Sequence, residues 1–350
     1  MKRFVLAAAA LAAIACSSDS KDGTQRSGSV DLTGAGATFP YPLYSKWFSD
    51  YAAQTGVRIN YQSIGSGGGI RQLSEGTVDF GASDSPMSDE DISKAKGPVL
   101  HIPTVLGAVV VTYNVPGITT TLKLSGDVVA DIFAGKIRKW NDQRIASLNP
   151  GVSLPGDDIL VVHRTDGSGT TFVFTDYLAA VSPSWAAGPG RGKEVPWPVG
   201  LGGKGNEGVA GQVKQTPGAI GYVELAYAKQ NNLPSAAIRN AAGNFVEPSP
   251  AGMTAAAAGV AASLPADTDY RLSIVNAQGA DVYPITSFTW ILAYRDQRDP
   301  VKGAKLKDFL RWALTEGEKQ AEALDYAPLP VSMASQLIAR IDSIQVGPTQ

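Results

Sequence analysis

Three short segments of the 350-residue chain combine glycine with hydroxyl side chains in a way that suits an oxyanion. They are Gly34-Ala35-Gly36-Ala37-Thr38-Phe39-Pro40, Gly65-Ser66-Gly67-Gly68-Gly69 and Asp166-Gly167-Ser168-Gly169-Thr170. Ser and Thr each offer a backbone N–H and a hydroxyl, and glycine lets an anion come close to the backbone. Each segment reads as a turn before a helix, where unpaired N–H groups and the positive end of the helix dipole face outward. One such turn is ordinary, but three in one chain make a candidate anion cage. Arg164 ends a strand just before the third segment, and a guanidinium can fork two donors onto a tetrahedral oxyanion. Asp84, in Ser83-Asp84-Ser85-Pro86, reads by itself as a turn residue.

The elements that must position these groups follow from periodicity. Leu43, Trp47 and Tyr51 recur at helical spacing until Gly56. Val57, Ile59 and Tyr61 alternate as a strand, and Val78 to Ala82 is a second one ending at Asp84. A short helix is expected over Ile70 to Glu75, after the glycine run. Val105 to Val115 is apolar and β-branched, as a buried strand is. A helix from Asp127 to Ala134, a strand from Ile159 to Val162, a helix from Thr171 to Val181 and a strand from Ala219 to Val223 follow. Residues 183–205 read as a Pro/Gly loop, and the chain from Leu306 as helical nearly to its end. Strands alternating with helices predict an α/β fold with mostly parallel sheets, and the length suits two lobes.

Composition excludes several classes of function. Lys and Arg number 30 against 32 Asp and Glu, so no basic excess exists to neutralise a nucleic acid. Two His and one Cys argue against a zinc site and leave no pair for an internal disulfide. Gly200-Leu201-Gly202-Gly203-Lys204-Gly205 fits a dinucleotide pattern by letters but follows Pro196-Trp197-Pro198, not a strand. His163, Asp166 and Ser168 are too close in sequence for a hydrolase triad, whose members come from separate segments. No cofactor and no metal are expected.

Met1-Lys2-Arg3 followed by the unbroken apolar run Phe4 to Ala15 reads as a signal peptide over residues 1–15, too short to span a bilayer. Cleavage after Ala15 leaves two readings: an ordinary export signal, or a lipoprotein signal with Cys16 lipidated as the new N-terminus. The second is the expectation, with residues 16–30 as a flexible tether. The mature protein is then expected in the periplasm or cell envelope, anchored by lipid at Cys16.

Taken in order, these motifs resemble the phosphate-binding proteins of bacterial high-affinity phosphate ABC importers. The resemblance is carried by Leu32 to Pro40, Val57 to Gly69, Val78 to Asp84 and Asp166 to Thr170. It continues through Gly135 to Asn141, Gly200 to Asn206, Gly218 to Asn232 and Trp290 to Ala327, and so covers about Leu32 to Leu329. It implies a type II periplasmic binding protein: an α/β fold of two lobes, each a mixed, mostly parallel sheet flanked by helices, joined by a two-strand hinge. Lobe I would comprise 31–110 and 287–350, and lobe II 111–286, with hinge strands near Gly107–Tyr113 and Tyr283–Trp290. It implies phosphate ligands at Thr38, Phe39, Ser66, Asp84, Arg164, Ser168, Gly169 and Thr170, with Asp166 holding the guanidinium. Asp84 would accept the hydrogen bond of the phosphate proton and so select against sulfate. His163 stands where the family often has a second basic residue. The implied partners are inorganic phosphate and the membrane permease of an ABC importer, with a monomer as the working form and no bond made or broken. An exported phosphatase using the same cage is the competing expectation, and a different oxyanion such as sulfate or molybdate a further one.

Overall fold

Eight strands of the chain close into one mixed sheet: β1 (Leu32–Gly36), β2 (Ile59–Ser63), β3 (Phe80–Ser83), β4 (Val99–Asn114), β5 (Leu160–Arg164), β6 (Leu201–Gly203), β7 (Ala219–Glu224) and β8 (Thr286–Tyr294). The computed structural model describes residues 32–261, 264–265 and 268–347. The expected signal peptide and tether, with Cys16, lie outside the described residues. Strand order is β2-β1-β3-β8-β4-β7-β5-β6. The outer pairs are parallel, while β8 and β4 run antiparallel to their neighbours.

β4 organises this sheet. It is 16 residues long and buried except at Asn114, as its Val-rich sequence requires. Its first part pairs with β8 as far as Ala108 opposite Thr286, and from Val109 onward it pairs with β7 instead. The two halves of the molecule therefore share β4, and the return crossing enters at β8, where Val109 N–H donates to Ile285 C=O (2.9 Å). One half carries β1, β2 and β3, and the other carries β5, β6 and β7. The fold is the two-lobed α/β architecture that the alternation of elements predicts.

Helices end the strands where the expected turns lie. α1 (Tyr41–Thr55) follows β1 and buries Leu43, Tyr44, Trp47 and Tyr51, and its last turn closes on left-handed Gly56. α2 (Ser66–Glu75) follows β2. α3 (Gly169–Val181) follows β5, with Ser168 as N-cap accepting from Thr171 N–H. α4 (Gly205–Gln215) follows β6, and α5 (Leu225–Gln230) follows β7.

Three local expectations need correction. The glycine run after Gly65 is not a turn but the first turn of α2, which begins at Ser66. A Cβ at Gly69 would stand 2.6 Å from Ala35 C=O and 2.9 Å from Ala82 C=O, so only glycine lets this helix lie so close to β1 and β3. Residues 183–205 are not wholly loop, because they contain the helix Pro183–Ala187 and β6. The C-terminal region is two helices, Pro300–Ala313 and Val331–Asp342, separated by short 3₁₀ turns. Asp325 in the left-handed region (φ 65°), with Pro328 and Pro330 following, breaks the helical run there.

Candidate anion-binding site

The C-terminal ends of β1, β3 and β5 and the N-termini of α2 and α3 converge between the two halves of the sheet. Ligands of open α/β sheets gather at such strand ends. Thr38 and Phe39 lie between β1 and α1, Ser66 begins α2, and Asp84 follows β3. Arg164 ends β5, and Ser168, Gly169 and Thr170 open α3. The structure thus brings together the predicted site residues, and Thr38, Phe39, Ser66, Asp84, Arg164, Ser168 and Thr170 are all buried.

The contacts between these groups cross from one half to the other. Ser66 Oγ accepts from Asp84 N–H (3.2 Å) and from Gly169 N–H (3.1 Å). The Gly169 N–H, which the resemblance assigns to an anion, is thus donated to Ser66 in this structure. No side chain fits at Gly169, because a Cβ would stand 2.6 Å from Asp84 Oδ2 and 2.7 Å from Asp84 N. Gly67 N–H donates to Gly167 C=O (2.8 Å), joining the two glycine segments directly. Outside this seal lies a cavity of about 1020 Å³, walled by Ile64, Gly67, Arg71, Asp166, Gly167 and Lys193 among others. The hydroxyls sit behind that mouth, not in it.

The charges of the site are held by geometry. Arg164 Nε and Nη2 donate to the two oxygens of Asp166 (2.8 and 2.5 Å), and Nη1 donates to Thr170 Oγ1 (3.3 Å). A guanidinium carries five N–H groups, so one on each Nη is left for a guest. The partnership lowers the Asp166 carboxyl below its ordinary range, although burial opposes it. Asp84 is different. Burial pushes its carboxyl up to about 7, against a hydrogen bond from Thr289 and the nearby Arg164 charge. Thr289 Oγ1 donates to Asp84 Oδ1 (3.0 Å).

Five residues complete the site that the reading of the sequence did not single out. Thr289, on β8, holds Asp84. Asn206, on the first turn of α4, donates through Nδ2 to Thr38 Oγ1 (2.7 Å) and Thr170 Oγ1 (3.1 Å). Tyr227 OH donates to Thr38 C=O (2.7 Å), and Tyr326 OH donates to Phe39 C=O (2.7 Å). Tyr326 also meets Glu224 Oε2 (3.1 Å), which caps α5 by accepting from Ala226 N–H (2.8 Å). The available signal was the polar residue at each strand end, but such residues serve turns equally well. His163 is half-buried and stacks on Trp197 with ring centroids 4.9 Å apart, beside the site rather than in it. Among the described residues no group of three or more His, Cys, Asp or Glu could hold a metal ion.

Glu224 makes the folded state sensitive to pH. It is fully buried, its Oε1 has no partner, and burial holds its carboxyl well above the ordinary 4.5. The folded chain then keeps a proton that the unfolded chain releases above pH 4.5. Stability from this group is therefore complete below that pH and declines as pH rises. Glu224→Gln keeps the neutral shape. It is expected to leave the melting temperature unchanged near pH 4.5 and to raise it by about 2–4 °C at pH 8, read by scanning calorimetry. A difference that is constant across that range would show that Glu224 is ionised in the fold.

Known proteins resemble this chain in sequence and in fold. A family model described as a PBP superfamily domain matches residues 19–316. The phosphate-binding protein PstS of Pasteurella multocida is 49% identical over 310 residues, covering 88% of this chain and 89% of the relative. The chain belongs to the PstS family of phosphate-binding proteins. Another PstS, from Methanocaldococcus jannaschii, is 42% identical over 332 residues, covering 89% of this chain and 85% of its own. Among solved structures, a high-affinity periplasmic phosphate-binding protein bound with phosphate superposes with a TM-score of 0.71 at 21% identity, covering 89% of this chain and 93% of the other. A phosphate-binding protein of Stenotrophomonas maltophilia superposes with a TM-score of 0.67 at 20% identity, covering 89% and 94%. At that identity the likeness is one of fold. This PstS-family chain shares its fold with proteins of that kind, and none of its described helices is long and apolar enough to cross a membrane.

Proposed function

We propose that this chain captures inorganic phosphate in the cleft between its two lobes and hands it to the permease of an ABC importer, acting as a binding protein and not as an enzyme. The observation that carries this reading is the pairing, in one buried site, of a guanidinium and four hydroxyls with a carboxylate that the guanidinium does not grip, Asp84. Lobe I would comprise 31–110 and 287–350, lobe II 111–286, and the hinge the crossings at β4 and β8. Thr38, Phe39, Ser66, Ser168, Gly169 and Thr170 would donate hydroxyl or backbone hydrogens, an arriving oxyanion competing with Ser66 Oγ for the Gly169 N–H. Arg164 would donate its two remaining N–H groups, and Asp166 would hold it in place. Asp84 would accept the proton that phosphate keeps at neutral pH and sulfate lacks. Donors on both lobes close the cleft over the ion, and closure is the state a permease can read. Residues 1–15 would be removed on export and Cys16 lipidated, leaving a monomer tethered in the cell envelope.

Calorimetric titration of dialysed protein with phosphate, arsenate and sulfate tests this reading. Phosphate and arsenate are expected to bind, and sulfate to bind at least roughly 10⁴-fold more weakly at neutral pH. Equal affinity for phosphate and sulfate, or no heat with phosphate, would reject it.

A further inference from the structure

The segment that follows α3 is tied to it and then reaches across the cleft. Gly192 N–H donates to Thr175 Oγ1 (3.1 Å), and Lys193 C=O accepts from Ser168 N–H (3.0 Å). The backbone of Lys193 is thus fixed to the N-cap of α3. Its ammonium donates to Asp91 Oδ2 (2.8 Å), in the other half of the molecule.

Asp91 is held just as firmly. It lies on the short helix Asp89–Ser93, which only Ser85 to Ser88 separate from Asp84. Ser88 Oγ accepts from Asp91 N–H (3.0 Å), and Asp91 Oδ2 accepts from Ser88 N–H (3.1 Å), a reciprocal cap. The two charged side chains are only 25% and 23% exposed, so solvent screens them less than a surface pair. Burial opposes ionisation of Asp91, but Lys193 and the Ser88 hydrogen bonds hold its carboxyl below the ordinary range. The pair sits on the wall of the mouth cavity, outside the contact of Gly67 with Gly167. It joins the loop that carries Asp84 to the turn that carries Ser168, and a hinge motion that opens the cleft must pull it apart.

We propose that Lys193 is a positioning residue that latches the two lobes: its ion pair with Asp91 holds the closed state and sets how long phosphate stays in the cage. This rests on the phosphate reading above. The pair acts only when the lobes meet, so it opposes opening and leaves the approach of phosphate to the open cleft alone. Its effect therefore falls on release, not on capture.

Two variants test the latch. Asp91→Asn keeps an oxygen for Ser88 N–H, and Lys193→Met keeps the carbonyl for Ser168 N–H, so both caps survive. Release is read by chasing bound radiolabelled phosphate with excess unlabelled phosphate, and calorimetry gives the affinity and so the capture rate. Each variant is expected to release phosphate about 3- to 10-fold faster, with capture within about twofold of native. The double variant should be no faster than the faster single one, because the same contact is lost only once. Added salt should speed release from the native protein and leave the double variant unchanged. The two substitutions alter the charge of the cleft in opposite senses, so a mere field on the anion would slow release in Asp91→Asn and speed it in Lys193→Met. Such opposite shifts, unchanged release in either variant, or a double variant showing the product of both effects would overturn the proposal. Native protein that bound no phosphate would overturn the reading beneath it, and the latch as a control on release with it.

Discussion

Asp84→Asn is expected to raise sulfate affinity about tenfold at pH 8 and to lower phosphate affinity about tenfold. The first figure follows from the carboxyl itself. In the closed site its pKa stands at about 7, against an ordinary 3.8 in water. Sulfate carries no proton, so it enters only if Asp84 takes one up and becomes a donor. At pH 8, one unit above that value, taking up the proton costs about a factor of ten. Asn is a permanent stand-in for the protonated acid and removes that cost. The second figure is the loss of a charge-assisted hydrogen bond between the phosphate proton and the carboxylate. The sign with pH separates this mechanism from simple repulsion. Native sulfate affinity should rise about tenfold for each pH unit lowered from 9 toward 7 and level off below that, because only above its pKa must Asp84 take up a proton to bind sulfate. In Asp84→Asn it should be flat. Parallel pH profiles for the two proteins, measured by calorimetry, would remove Asp84 from the selectivity mechanism.

Arg164→Met is expected to weaken phosphate binding by roughly 10³-fold, the factor that about 4 kcal/mol represents. The methionine keeps most of the side-chain bulk but removes the charge and both N–H groups that face the guest. It also strands Asp166, which then stands as an unpaired carboxylate at the wall of the site. Circular dichroism should show an unchanged fold, since β5 keeps its backbone pairing with β6 and β7. A loss under threefold would place the anion away from β5. Arg164→Lys should recover only part of the affinity, because an ammonium cannot grip Asp166 and a phosphate oxygen in the same plane.

How far these residues could be read in advance differs from one to the next. Thr38, Ser66, Ser168 and Thr170 announced themselves, because hydroxyls set among glycines at helix starts have few other chemical uses in such number. Arg164 was readable from its place at a strand end. Asp84 was not: by itself it is a turn residue before Ser85-Pro86, and only the family resemblance gave it a role in binding. Asn206 and Thr289 were invisible, because one polar side chain on a helix or strand carries no signal of what it will face. The Gly65–Gly69 run misled in a different way. Glycine is the poorest helix former after proline, so local propensity argued for a turn. Contact with Ala35 and Ala82 required glycine inside the helix instead.

The order of strands, helices and anion-seeking turns was written in periodicity and composition, which act over a few residues at a time. The direction in which each hydroxyl points was not. It depends on partners such as Thr38 and Asn206, 168 residues apart, and on Asp84 and Thr289, 205 residues apart. The elevated carboxyl of Asp84 has the same origin, since desolvation arises only when both halves of the sheet shut water out. Local pattern names the atoms of a site, but their polarity and charge are properties of the neighbours that folding brings.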